Sequence, residues 1–178
     1  DAMERLIDTA CLSPSVGLSQ PWRFITVDDA ARRRAVVDDF RICNAEALKA
    51  YAGERAARYA ALKLSGLEQA PRHLAVFADK ACDIGHGLGR ATMPETTEYS
   101  VVAAITAMWL AARAEGIGLG WVSILNPERI CAILDVPAGW KFIAYLCIGY
   151  PEAACDQPEL ARAKWEYRRG AEEFTLRR

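Results

Sequence analysis

The stretch Trp109 to Ile124, WLAARAEGIGLGWVSI, joins two unlike kinds of sequence and decides how the chain folds. Before it, Tyr99 to Glu115 reads as a helix that is apolar on nearly every side through Val101, Val102, Ile105, Met108, Trp109 and Leu110. A helix of that kind lies at the centre of a fold or inside an interface. Gly116 stops it, and Leu119 to Leu125 reads as a strand. Its Gly116-x-Gly118-x-Gly120 entry suits either a tight helix-to-strand turn or close approach of backbone to a ligand. Ser123 is the one hydroxyl there, opposite in phase to its apolar neighbours.

Working outward, Phe142 to Tyr150 (FIAYLCIGY) and Leu74 to Ala78 (LAVFA) are unbroken apolar runs, the mark of strands buried on both faces. Trp22 to Val27 (WRFITV) alternates as a half-buried strand, and Asp28 or Asp29 can cap a helix running to about Phe40. Asp1 with Glu4 forms a capping box for an opening amphipathic helix that ends at Ser13-Pro14. Asn126-Pro127 supplies an N-cap and a first-turn proline. Tyr51, Arg55, Tyr59 and Leu62 mark a helix within Asn44 to Gly66 that lies over something. Asp79 to Glu98 is a twenty-residue connection, and loops of that length are commonly functional. Strands and helices joined in this way predict a single α+β domain over 1–178.

The counts exclude several classes. A chain of 178 residues, 52% apolar, needs neither metal nor disulfide to hold a core. Twenty-two Lys and Arg against 23 Asp and Glu, a net charge of −1, argue against a nucleic-acid partner. The longest nearly apolar run, Val101 to Ala112, is far short of the roughly 20 residues of a membrane helix. Six cysteines without a C-x-x-C pair point to a reducing cytoplasm. His73 and His86 have no ligand-spaced partner, so no metal site is expected. Arg32-Arg33-Arg34 sits between Asp28-Asp29 and Asp38-Asp39 and reads as a solvated, charge-compensated helix face. The glycines at 85, 87 and 89 fail G-x-G-x-x-G because position 90 is Arg. Ser13 to Gln20 allows two readings, a capped turn or small hydroxyl residues placed to approach a planar heterocycle.

Five segments, PSVGLSQPWRF, GERAARYAALKLSG, LGRATMPETTEYS, WLAARAEGIGLGWVSI and AYLCIGYPE, fall in order along the chain. Together they resemble the flavin-destructase branch of the nitroreductase superfamily, with the LGR-x-x-MPE loop as the branch-specific part. The resemblance implies a nitroreductase-like FMN-binding fold with a mixed central sheet flanked by helices. It also implies a homodimer, with residues 151–178 as an extended tail on the partner subunit. The implied reaction is oxygen-dependent fragmentation of reduced FMN, supplied by a separate flavin reductase, to 5,6-dimethylbenzimidazole, the lower ligand of vitamin B12.

The same resemblance places Ser13, Pro14 and Ser15 along the flavin ring, Leu62 on it from a covering helix, and Gly120 near its edge. Met93 and Pro94 belong to the cover, Arg168 to the phosphate, and Ser123 matches a serine implicated in the fragmentation. Family members carry an Arg-Arg-Asp-x-Arg segment before the first capped helix, which holds the phosphate and supplies an acid or base; this sequence starts at Asp1, past that point. Two other readings are an NAD(P)H-dependent FMN nitroreductase or flavin reductase and a flavin-binding protein without catalysis.

Overall fold

The computed structural model describes residues 1–62, 66–153 and 155–178. They form two compact units, one made of Asp1–Asn44 and Ser65–Pro151, the other of Ala45–Leu64 and Glu152–Arg178. The first holds helix α1 (Ala2–Cys11), strand β1 (Trp22–Thr26) and most of helix α2 (Ala30–Leu48). After helix α3 (Gly53–Ala61) of the second unit it continues with β2 (Arg72–Asp79), α4 (Thr96–Ala114), β3 (Gly118–Val122), α5 (Pro127–Ile133) and β4 (Trp140–Gly149). The second unit is completed by the single turn α6 (Glu159–Arg162) and a 3₁₀ turn at Ala171–Phe174.

The sheet runs in the order β1-β2-β4-β3. All three pairings are antiparallel, so the mixed sheet implied by the resemblance is replaced, among the described strands, by an antiparallel one. The two central strands carry the unbroken apolar runs for a simple reason: successive side chains go to opposite faces, and both faces are covered. Leu74, Val76 and Ala78 meet Val101, Ala104, Ile105 and Met108 of α4 and Leu6 and Ala10 of α1. Ala75 and Phe77 meet Val36 of α2 and Ile130 of α5 on the other side. One face of α4 is thereby buried in its own chain, while Tyr99, Val102, Trp109 and Leu110 remain exposed on the other.

Local signals set most boundaries. Asp1 Oδ1 accepts from the Glu4 amide at 3.0 Å, Asp29 Oδ1 from Arg32 at 2.8 Å, and Asn126 Oδ1 from Arg129 at 2.9 Å, capping α1, α2 and α5. Helix α2 runs on past Phe40 to Leu48, because Ala45-Glu46-Ala47-Leu48 are strong helix formers with no breaker among them. The expected helix within Asn44 to Gly66 consequently shrinks to α3, which starts at Gly53 with a left-handed φ of +56°; residues 63–65 lie outside the described ones.

Two of the arginines expected on a solvated face are staples instead. Arg32 donates to the Ile133 carbonyl at 2.7 Å and pairs with Asp135, while Arg33 donates to the carbonyls of Val27 and Pro71. Their long stems let helix α2 satisfy backbone acceptors at strand and helix ends. Asp39, almost fully buried, pairs with Arg129 and accepts from the Asn126 amide at 2.8 Å, which fixes the start of α5 against α2. Asp39→Ala orphans that amide, and urea unfolding should show a loss of about 1–3 kcal/mol; unchanged stability would remove the clamp from the fold's support.

His73, 2% exposed, lies between Tyr145 Oη (2.9 Å from Nδ1) and the Ala70 carbonyl (3.2 Å from Nε2). The carbonyl can only accept, so Nε2 carries the proton and Nδ1 accepts from Tyr145. Burial lowers the pKa of His73, the Arg33 charge lowers it further, and the Ala70 hydrogen bond opposes both. The unfolded chain therefore binds this proton first, and stability falls as pH drops below about 6.5. The stability gap between the wild type and His73→Gln should narrow between about pH 7.5 and 5.5; a constant gap would mean that His73 does not titrate on unfolding.

Candidate functional site

The polar stretch after α1 is held by backbone geometry. The Ser13 amide donates to Ala10 O as the helix ends, and Ser15 to Ser19 form a short 3₁₀ turn with Gly17 at φ +57°. Ser15 Oγ accepts from the Gln20 amide at 3.1 Å, which leaves its own proton free to donate outward. The Val16 amide donates to Ser100 Oγ at 3.0 Å, and Ser100 Oγ donates to Thr96 O at 2.7 Å. The turn is thus tied to the first turn of α4.

The glycine-rich connection packs on the same turn at a distance that excludes side chains. A Cβ on Gly85 would stand 2.3 Å from Gly17 O, one on Gly17 2.9 Å from Leu88 O, and one on Gly89 2.7 Å from Val16 Cγ2. Gly85 and Gly89 also have φ near +80°, a region costly for any L side chain. These glycines are required by loop-on-loop contact. Behind the junction, Cys82 Sγ donates to Ser19 O at 3.3 Å.

From this junction the chain leads to Met93 and Pro94 at the entry to α4. Met93 is half-exposed, and the Pro94 carbonyl accepts from Lys80 Nζ at 3.4 Å. Glu98, one turn into the helix, accepts from Lys80 at 2.8 Å and Lys141 at 2.9 Å. Burial pushes its carboxyl pKa up, and the two lysines outweigh that and hold it below the ordinary value. Glu98 therefore stays charged and ties the start of α4 to β4 through Lys141 and to the residue after β2 through Lys80, which also holds the Pro94 carbonyl.

Two hydroxyls near the turn are buried without a partner among the described residues, Ser13 Oγ and Ser19 Oγ. A buried hydroxyl left unpaired costs stability, and a ligand is one way to satisfy it. Sequence reasoning named Ser13 and missed Ser19, because nothing in a run of turn residues marks which hydroxyl faces inward. Pro14 is exposed beside them.

Gly120 and Ser123 lie elsewhere. Gly120 is on β3 opposite Cys147, where a Cβ would meet only Cys147 O, at 3.8 Å, so its backbone is open to approach. Ser123 follows the last residue of that strand and is exposed. The order β1-β2-β4-β3 puts this pair at the edge opposite the Ser13 to Ser15 turn, which feeds into β1. The two sets of candidate residues thus belong to opposite edges of the sheet. Leu62 and Arg168 belong to the second unit, Leu62 at the C-cap of α3 and Arg168 exposed in the C-terminal segment.

Residues 1–150 match the model of the Nitroreductase family. The chain belongs to that family. Among its relatives, 5,6-dimethylbenzimidazole synthase of Rhodospirillum rubrum is 58% identical over 169 residues, 95% of this chain and 80% of that protein. The protein of the same name from Rhodobacter capsulatus is 49% identical over 164 residues, covering 92% and 79%. Two solved structures are similar in fold. A BluB-like flavoprotein from Clostridium difficile superposes with a TM-score of 0.70 at 20% identity, over 98% of this chain and 87% of that one. Iodotyrosine deiodinase bound to FMN and 3-iodo-L-tyrosine gives 0.69 at 21%, over 88% and 82%.

The glycine junction has a direct test. Gly85→Ala places a methyl against Gly17 O and should destabilise the protein by about 1–3 kcal/mol while loosening the Ser13 to Gln20 turn. Thermal unfolding and flavin titration should both report the change, whereas Gly87→Ala, with nothing within 4 Å of its Cβ, loses only its preferred φ. Equal behaviour of the two variants would deny the close approach any role.

Proposed function

We propose that this nitroreductase-family chain converts reduced FMN and molecular oxygen to 5,6-dimethylbenzimidazole, the lower ligand of vitamin B12. The observation that carries the reading is 58% identity, over 95% of the chain, to a protein named for that synthesis. The residues present fit a flavin: Ser13 Oγ is a buried hydroxyl without a partner among the described residues, Ser15 Oγ accepts from the Gln20 amide and can still donate, and the Gly120 backbone is uncrowded. Bound FMN supplies the isoalloxazine ring that is oxidised and taken apart.

In this reading Ser13, Pro14 and Ser15 hold the ring along one side and Gly120 meets its edge. Ser123 is the catalytic residue, its hydroxyl donating to and accepting from a flavin or ribityl oxygen as a proton is moved. Met93 and Pro94 exclude water, with Lys80 and Glu98 keeping that loop in place. Leu62 as a ring contact and Arg168 as a phosphate contact rest on the resemblance alone. Two copies of the chain meet through the exposed apolar face of α4, with Val102, Trp109 and Leu110 at its centre. Each copy then lends a half-site to the other, and a separate flavin reductase supplies reduced FMN in the cytoplasm.

The test is chromatography with mass detection after mixing the protein with chemically reduced FMN and air. Benzimidazole is the expected product; intact FMN that survives many turnovers with NADPH would make the protein a reductase, and flavin unchanged by either reductant would make it a binder only. Ser123→Gly should keep the fold and the affinity for oxidised FMN while slowing product formation at least tenfold, about 1.4 kcal/mol of barrier. An unchanged rate would reduce Ser123 to scaffolding.

A further inference from the structure

The second unit contains little that would fold by itself. Helix α3 has nine residues, and its N-cap, Ala52, makes no side-chain bond to the first turn. An isolated helix of that length is marginal in water, and an uncapped one more so. Its one buried residue is Tyr59. Among its described residues the C-terminal segment, from Glu152 on, contributes only the single turn of α6 and a 3₁₀ turn. Each piece needs the other.

Their contact is specific. Tyr51 stacks on Tyr59 with ring centroids 4.9 Å apart, and Trp165 sets its edge against both, at 5.4 Å and 6.0 Å. The Arg55 guanidinium lies 5.8 Å from the centre of the Trp165 ring, and Arg58 Nη1 donates to the Lys164 carbonyl at 3.3 Å. Aromatic pairs and a cation over an indole both add to the burial of apolar area. Arg58 is also paired with Glu54 on the preceding turn, which orients its other nitrogen toward the C-terminal segment.

The turn that delivers Trp165 is built for this. Lys164 adopts φ +54°, where glycine is usual, its amide donates to Ala161 O, and the Trp165 amide donates to Leu160 O at 2.9 Å. That pair of bonds closes α6 as a Schellman motif, which reverses the chain immediately after the helix. A left-handed lysine persists only where surrounding contacts outweigh its strain, and the contacts here are those with α3.

We propose that Trp165 is a positioning residue that keeps α3 folded, so that the cover helix and the C-terminal segment order and disorder as one body. The structural claim stands on the aromatic cluster alone. Its catalytic consequence rests on the reading of α3 as part of the flavin's cover: a chain that has lost Trp165 would bind flavin in a wetter pocket and let oxygen be reduced without ring cleavage.

Hydrogen exchange read by mass spectrometry on the full chain without flavin tests the structural claim. In Trp165→Ala the amides of Gly53 to Ala61 should exchange at least tenfold faster, with β2 and β4 unchanged, and Trp165→Phe should restore most of the protection. Unaltered protection of α3 in Trp165→Ala overturns the proposal. Should that variant unfold as a whole, Arg58→Gln, which retains helix propensity and removes both the bond to Lys164 O and the pair with Glu54, should speed exchange in both α3 and 159–165 beyond Glu54→Gln, which removes the pair alone; a change confined to one of the two segments, or no larger than that of Glu54→Gln, also overturns it. The second measurement is hydrogen peroxide released per benzimidazole formed from reduced FMN in air. A rise of threefold or more in Trp165→Ala supports the catalytic consequence. An unchanged ratio alongside faster α3 exchange leaves the clasp in place and removes α3 from the cover, and failure of the wild type to form any benzimidazole refutes the function without touching the clasp.

Discussion

The antiparallel pairing of β2 with β4 is the constraint from which the rest follows. Both strands are buried on both faces, so neither can exist until helices cover the sheet on each side. Covering one face fixes α4 and α1, and covering the other fixes α2 and α5. Because α4 is nailed along its length, its first turn becomes a rigid platform, and the site's loops are attached to that platform. Ser100 anchors the Ser13 to Gln20 turn there, and Glu98 with its two lysines anchors the Met93-Pro94 entry. Loop precision is thus borrowed from a helix that the core holds.

The second device is the absence of side chains. Gly17 and Gly85 let two loops meet backbone to backbone, which no other residue type permits at those separations, and Gly89 leaves room beside them for the Val16 side chain. The backbone part of this contact has no side chain to repack, and it lies beside a turn with two buried hydroxyls that have no partner among the described residues. Strained and unsatisfied groups concentrated at one place are what a preformed ligand site looks like before its ligand is counted.

Much of this was legible in the sequence, and the limits have physical causes. Helix α4 was readable as a central or interface helix because Val101, Val102, Ile105, Met108, Trp109 and Leu110 leave almost no polar face, though only the fold tells that Val102, Trp109 and Leu110 stay exposed, and β2 and β4 because two-sided burial leaves an unbroken apolar run. Caps at Asp29 and Asn126 were readable because the signal and the structure are three residues apart. Interactions distant in sequence were not. Asp39 looks like one more surface acid beside Asp38, and its partner Arg129 is ninety positions away. The three arginines at 32 to 34 looked equivalent, yet only the fold tells which reach backbone carbonyls. The glycines of the long connection were recognisable as special, but the reason, a facing Gly17, needs the folded chain.

The topology also bears on how many chains a flavin requires. Ser13 to Ser15 enter the sheet through β1 and Ser123 leaves it after β3, and the two strands β2 and β4 lie between those edges. Neighbouring strands are about 4.8 Å apart, so the edges are separated by roughly 14 Å across the sheet. The same chain that exposes Ser123 to water also exposes the apolar face of α4. In the proposed dimer, apposing two copies through that face would bury Trp109 and Leu110 and leave Ser123 of one copy available to the other. The water-free pocket that ring cleavage demands would then be a property of the proposed pair of chains.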